Sequence, residues 1–239
     1  MKFFTSTAIS VALLAISGCA QAGQNLDTVE VEQIIKNYLL KNPEIIREAM
    51  IELQTKEDRA SLSNVKDALY SDPRDVSIGP KDAKVTLIEF FDYNCGYCKS
   101  SSNWLKGVID KYPDDVRVVF KELPILESRT KTSRNAAKAA LAAARQGKYT
   151  TIHFSLMAER SLSADRVLKI AEKAELDMDK LKEDMKDPQL DRHLDDAKLL
   201  AGKIPALSGT PFFVINNDFI AGGNVEALDA LLKKALEES

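Results

Sequence analysis

Two cysteines two residues apart, Cys95 and Cys98 in "NCGYC", carry the strongest chemical signal in this sequence. Two thiols at this spacing can hold a metal, close a permanent staple, or exchange electrons with other thiols. A zinc site wants four ligands, from a second Cys pair or paired histidines. Beyond the leader the sequence offers only His153 and His193, on different expected helices. No metal is expected. A purely structural disulfide here would close a very small loop and constrain the unfolded chain little. Redox exchange is therefore the reading. The alternative of another class is an envelope protein, copper-binding through a soft Cu(I) site or lipid-anchored. No cofactor is needed for thiol exchange.

The other chemistry-bearing residues read more plainly. Glu89 is a charge inside an apolar run, and read alone is a solvated edge residue. Lys121 and Glu122 close a later β-rich run and read as solvated or ion-paired. His153, between Ile152 and Phe154, reads as a packed or surface histidine without a role. Thr210-Pro211 follows Gly209 and leads an apolar run.

The elements that position these residues follow from periodicity. Over 27–70, Val31, Ile35, Tyr38 and Leu39, then Ile46, Met50 and Leu53, recur at helical spacing. Asn42-Pro43 divides this stretch, because the residue before proline avoids the α region. "SDPRD" ends it. In "KVTLIEFFDY", Val85, Leu87, Ile88, Phe90 and Phe91 form a near-continuous apolar run, the mark of a strand covered on both faces. Cys98–Tyr112 reads as helix and "DDVRVVFKEL" as a second strand, giving a βαβ unit with parallel strands. Residues 128 to about 201 are helical throughout, with Gly147 as a stop signal. "GTPFFVIN" and "DFIAGG" read as strands joined at Asn216-Asn217. An amphipathic helix follows, with Asn224 as its N-cap.

At the thiols this order has a consequence. Cys95 falls where strand gives way to helix, and the free N–H groups and dipole there favour a thiolate. Cys95 is thus the expected nucleophile. Cys98, inside the first turn, can reach back to resolve a mixed disulfide. Gly96 and Tyr97 between them bring neither charge nor proline.

Composition narrows the partners. The 239 residues carry 36 acidic and 33 basic side chains, a net charge of -3. No stripe of Lys and Arg with interleaved aromatics occurs, so nucleic acid is not an expected partner. Lys2 followed by the uncharged run Phe3–Ser17 fits a signal peptide. Ala20-Gln21-Ala22 would release a protein starting at Gly23. Ile16-Ser17-Gly18-Cys19 would instead leave a lipidated Cys19, after a leader of residues 1–18. Both processing routes stay open, and both predict export to the periplasm.

The element order, "CGYC" at the first strand-helix turn, and "GTP" ahead of the third strand resemble the thioredoxin fold. The long helical insertion is similar to its DsbA-like branch. "VEQIIKNYLLKNPEIIREAM" is similar to the stalk of oligomeric DsbA-like proteins, of ScsC and Com1 type. The resemblance covers residues 27 to 237. It implies an α/β thioredoxin fold with a helical insertion at about 128–202, preceded by an α-helical N-terminal segment. The expected division is a signal peptide over 1–22, a helical oligomerisation segment over 23–72, and the DsbA-type domain over 73–239.

The resemblance also implies roles. Cys95, Gly96, Tyr97 and Cys98 would form the redox centre. Pro211 would be cis and face it, with the Thr210 backbone pairing to extended substrate. Glu89 would be a buried carboxylate beneath the site, moving the Cys98 proton. The histidine that DsbA carries between its cysteines is absent here, so a less oxidising poise is expected. Implied partners are unfolded or misfolded cysteine-containing envelope proteins, a membrane redox partner, and further copies of the chain. The expected activity is thiol-disulfide exchange, with isomerase preferred over a monomeric dithiol oxidase.

Overall fold

The computed structural model describes residues 27–238. The leader and both cleavage sites lie outside the described residues. By internal contacts the chain divides into two units, ending at Met50 and beginning at Ile51. The first unit holds α1 (Thr28–Lys41) and the start of α2 (Glu44–Asn64). The break falls at Asn42-Pro43 as expected. Asn42 closes α1 by donating both its backbone N–H and its side-chain Nδ2 to the Tyr38 carbonyl, at 2.9 and 2.8 Å. No residue of α1 is buried, and Ile34, Ile35, Tyr38 and Leu40 stand exposed.

The second unit continues α2 and adds α3 (Lys66–Tyr70), β1 (Val76–Ile78), β2 (Val85–Phe91), α4 (Gly96–Lys111) and β3 (Val116–Glu122). A 3-10 turn at Ile125–Ser128 leads to the insertion: α5 (Thr132–Ala144), α6 (Tyr149–Ala158), α7 (Ala164–Lys173), α8 (Met178–Asp184) and α9 (Pro188–Ala201). β4 (Phe212–Ile215), β5 (Asp218–Ala221) and α10 (Val225–Glu237) complete it. Among the described residues the strands make one five-stranded sheet, ordered β1-β3-β2-β4-β5. β2 and β3 run parallel, with Glu89 opposite Phe120 and Phe91 opposite Glu122. The other pairs are antiparallel. This is the DsbA-like thioredoxin fold that the sequence implies.

β1 falls in residues 71–83, between the helical segment and the run that begins at Lys84, where no strand is expected. Three half-exposed residues at a sheet edge carry no usable period. The β4–β5 hairpin turns at Asn216, whose positive φ of 52° asparagine tolerates. Asn216 is also stitched to β2, donating its N–H to the Thr86 carbonyl and accepting the Thr86 N–H.

Side chains alternate across the sheet. Leu87, Phe91, Val118, Phe120, Phe213 and Ile215 face α4, the insertion and α10. Ile88, Phe90, Val119, Phe212 and Val214 face the other way, onto Leu62 of α2, Leu69 of α3 and Ile204. The 23–72 segment, expected as one oligomerisation element, therefore contains two kinds of residue. Leu62 and Leu69 are needed to cover a sheet face that would otherwise meet water, so the tail of the segment belongs to the domain core. Arg59 adds an ion pair to Asp218 at 2.6 Å.

Candidate active site

β2 delivers the chain into a three-residue turn, Asp92-Tyr93-Asn94, and Cys95 is the N-cap of α4. Asp92 fixes this turn. Its buried carboxylate accepts from the Asn94 N–H (2.8 Å), the Ser133 hydroxyl (2.8 Å) and the Leu126 N–H (2.9 Å). Asn94 donates onward to Thr132 and Ser133, both at 3.0 Å. The turn is thus tied to the first helix of the insertion. Sequence reading missed Asp92 because its partners are distant in the chain.

Cys95 is 8% exposed, Cys98 is fully buried, and Tyr97 between them is 73% exposed. Both thiols are free. The two differ in acidity. A hydrogen bond from the Cys98 thiol brings Cys95 down to about 5, against burial, and the Thr210 side chain and the N–H groups of Cys98 and Tyr97 add to it. Cys98 goes the other way: burial, its bond to Cys95 and the charge of Glu89 hold its thiol far above the ordinary range. The less deeply buried sulfur is ionised at neutral pH, and the fully enclosed one is protonated. Such a pair can attack a disulfide with the first sulfur and resolve it with the second.

The Thr210-Pro211 bond is cis, as the resemblance implies. The Thr210 carbonyl lies 3.1 Å from Cys95 Sγ and accepts from it in the thiol form. The Pro211 carbonyl accepts the Gly222 N–H at 2.8 Å. Next to it, a Cβ on Gly223 would lie 3.0 Å from the Tyr97 carbonyl oxygen and 3.6 Å from Pro211. The β5–α10 loop therefore presses against both the thiol turn and the cis-proline turn. In the sequence this "GG" shows only as the end of a strand.

Glu89 is buried, and neither carboxylate oxygen has a hydrogen-bond partner. Burial, then the charges of Glu122 and Cys95, push its carboxyl well above the ordinary range. The solvated-edge reading of Glu89 is overturned, because β2 is the central strand and its neighbours β3 and β4 leave it no edge.

Lys121 and Glu122 are both buried. Lys121 is ion-paired, with Asp75, and bonds to the Ala68 carbonyl. Glu122 is not solvated: its Oε1 accepts from the Tyr149 hydroxyl at 2.8 Å and the Tyr93 hydroxyl at 3.0 Å. His153 is a packed histidine. Its Nδ1 is 3.1 Å from the Tyr93 hydroxyl, and burial brings it down to about 3. His193 sits elsewhere, 3.0 Å from Asp75. With Asp72 and Asp75 it forms a group of metal-ligating type among the described residues. Arg74 pairs with Asp72, and Lys121 with Asp75, so cations already occupy those carboxylates.

The family model described as DSBA-like thioredoxin domain matches residues 86–234. This chain belongs to that family. Residues 27–60 match a second model, the copper resistance protein ScsC N-terminal domain. Among solved structures, the thiol-disulfide exchange protein α-DsbA2 of Wolbachia pipientis is 26% identical, with a TM-score of 0.70 over 78% of this chain and 98% of that one. Proteus mirabilis ScsC, as a linker-deletion mutant, is 28% identical, with a TM-score of 0.65 over 91% of this chain and 100% of that one. A curated relative, the Na(+)/H(+) antiporter NhaA 3 of Salinispora tropica, is 34% identical over 68% of this chain. This DsbA-like chain spans only about a quarter of that relative's length. No helix among the described residues is long and apolar enough to cross a membrane.

Proposed function

We propose that this protein is a periplasmic thiol-disulfide oxidoreductase acting on cysteine-containing, unfolded or misfolded envelope proteins. The observation that carries the reading is the opposed acidity of two neighbouring thiols, Cys95 low and at 8% exposure, Cys98 high and fully enclosed. In the oxidised protein a substrate thiolate attacks Cys95. The Cys95–Cys98 bond breaks as the new disulfide forms, and the electron pair leaves on Cys98 sulfur. In the reverse direction Cys95 thiolate attacks a substrate disulfide, and Cys98 resolves the mixed disulfide. Glu89 exchanges the proton with Cys98. The Thr210 backbone pairs with extended substrate beside Cys95, a mode that reads backbone and tolerates varied side chains. A membrane redox partner resets the pair. α-DsbA2, a thiol-disulfide exchange protein by description, supports this class.

Isomerisation is the preferred direction. The exposed apolar side chains of α1, with Ile46 and Met50 of α2, supply a stripe for self-association, and the ScsC N-terminal likeness lies over the same residues. Several active sites around one substrate raise effective concentration and favour reshuffling. The low Cys95 value favours a second reading, a dithiol oxidase, because a stable thiolate stabilises the reduced form and drives oxidation of substrate.

A scrambled model substrate separates the two. Residues 23–239 are compared with residues 51–239, which keep Leu62 and Leu69. Isomerisation by the longer chain alone, with dithiol oxidation by both, supports the oligomeric isomerase. Equal oxidation with no isomerisation by either supports the oxidase. No exchange by either chain refutes the whole reading.

A further inference from the structure

Beneath the thiols, one face of the sheet carries a second buried carboxyl that the proposed chemistry leaves unused. Glu89 on β2 pairs in register with Phe120, and Glu122 stands two residues beyond Phe120 on β3. Alternation puts both carboxyls on the same face, diagonal to each other on adjacent strands. They are treated differently. Glu122 accepts two tyrosine hydroxyls on one oxygen, from Tyr93 and Tyr149. Glu89 has no partner at either oxygen. Hydrogen bonds to a carboxylate favour its charged form, and burial without them favours the acid. Burial pushes the Glu122 carboxyl up as well, and its two tyrosine hydrogen bonds pull it back toward the charged form. Glu89 has no such bonds and feels the charge of Glu122, so of the two it is Glu122 that ionises first.

Among the described residues neither carboxyl is in an ion pair, and Lys99 acts on Asp92, Cys95 and Cys98. The nearest cation in sequence, Lys121, points to the opposite sheet face and is held by Asp75 and the Ala68 carbonyl. The groups facing the two carboxyls are Asp92 and Tyr93 of the turn, Cys95 and Cys98 of α4, and Tyr149 of α6; the charge of Asp75, on the other face with Lys121, also reaches Glu122. His153 meets Glu122 through Tyr93, to which its Nδ1 is bonded, and through Tyr149, on which it stacks; β4 contributes the apolar Phe213. None is a cation at neutral pH, since burial keeps His153 neutral.

We propose that Glu122 is a positioning residue for the thiol exchange: by holding the buried negative charge on this face, it keeps the proton on Glu89, available to Cys98. The proposal rests on the reading of Glu89 given above. When substrate thiolate attacks Cys95 and the Cys95–Cys98 bond breaks, the electron pair leaves on Cys98 sulfur. Glu89 then gives its proton and becomes a carboxylate, and Cys98 becomes a thiol. In the reverse step Cys98 loses the proton to Glu89 as it attacks the mixed disulfide. A carboxyl whose proton affinity is raised toward the working pH performs both steps better than an ordinary one. Glu122 sets that affinity without touching the sulfurs.

The test measures resolution of the mixed disulfide against pH. Reduced protein is mixed with oxidised glutathione and quenched with acid for mass spectrometry. Wild type, Glu89→Gln, Glu122→Gln and the double variant are compared. Gln at 122 keeps an oxygen acceptor for both tyrosines and removes only the charge. Glu89→Gln should abolish the acid limb of the profile. Glu122→Gln should move that limb to lower pH by about one unit or more, and should do nothing further once Glu89 is replaced. If Glu89→Gln abolishes the limb but Glu122→Gln leaves it in place, the proposal fails and the Glu89 reading stands. If Glu89→Gln leaves the limb unchanged, both fail. A carboxyl-carbon NMR titration of the unsubstituted protein needs no variant. Glu89 should show a second inflection at the Glu122 midpoint, and two independent single-step curves overturn the proposal.

Discussion

Removing the Cys98 sulfur should raise the acidity midpoint of Cys95. The leading cause of the low Cys95 value, about 5, is the hydrogen bond that its thiolate accepts from Cys98. A hydrogen bond to a charged group is worth about 1.5–3 kcal/mol. One pKa unit corresponds to about 1.4 kcal/mol, so Cys98→Ala should move the midpoint up by about one to two units, to about 6 or 7. It should not return to the ordinary thiol value, because Thr210 and the N–H groups of Cys98 and Tyr97 remain. The assay is the ultraviolet absorbance of the thiolate against pH, checked by alkylation rate with iodoacetamide. In the wild-type reduced protein a single inflection is expected below pH 8, since burial keeps Cys98 protonated through that range. An unchanged or lower midpoint in Cys98→Ala would refute the argument, and would place the whole effect in the helix terminus.

The same acidity has a stability consequence. The folded-state value of Cys95 lies below its unfolded value of 9.0, so its contribution is fully present above pH 9 and is lost as pH falls toward 5. Urea unfolding of the reduced form, minus that of the oxidised form, should therefore gain about 1.4 kcal/mol per pH unit between pH 5 and pH 9; a flat difference refutes it. Leu69→Ala should cost about 2–5 kcal/mol of domain stability by leaving a cavity against the sheet, as read from denaturant midpoints. Ile35→Ala with Tyr38→Ala should leave that stability unchanged and lower the mass found by light scattering, because both side chains are exposed. Gly223→Val should slow thiol exchange with little loss of stability, since its side chain would press on the Tyr97 carbonyl and Pro211; unaltered exchange kinetics would remove Gly223 from the site.

Much of this was legible in the chain itself. The apolar run of β2 and the thiols beyond it mark the strand-to-helix junction, and the N-cap position of Cys95 follows from that junction. Gly147, Asn224 and the Asn216 turn signalled their element ends through local backbone chemistry. What stayed hidden depends on contacts between distant residues. Asp92 looks like any acidic residue before a turn until Ser133 and Leu126 are brought to it. The split of the N-terminal segment was hidden too, because Leu62 and Leu69 continue the helical period of residues that stand exposed. Glu89 stood out as one charge among large apolar residues. Glu122, at a strand end beside Lys121, looked like a charged pair reaching water.

The opposite fates of Lys121 and Glu122 explain why the carboxyl pair can keep its character. In a strand, neighbours in sequence point to opposite faces. Lys121 therefore goes to the side of Leu62, Leu69 and Asp75, where it anchors the chain ahead of β1. Glu122 goes to the side of α4 and α6, where two tyrosine hydroxyls donate to it. A one-residue slip of β3 would bring the lysine beneath the thiols and let it neutralise Glu89. The register that pairs Phe91 with Glu122 prevents this. A cation there would lower the proton affinity of Glu89. The pairing of two central strands thus carries chemical information as well as packing, and the Lys121–Asp75 bond on the far face helps to hold that arrangement in place.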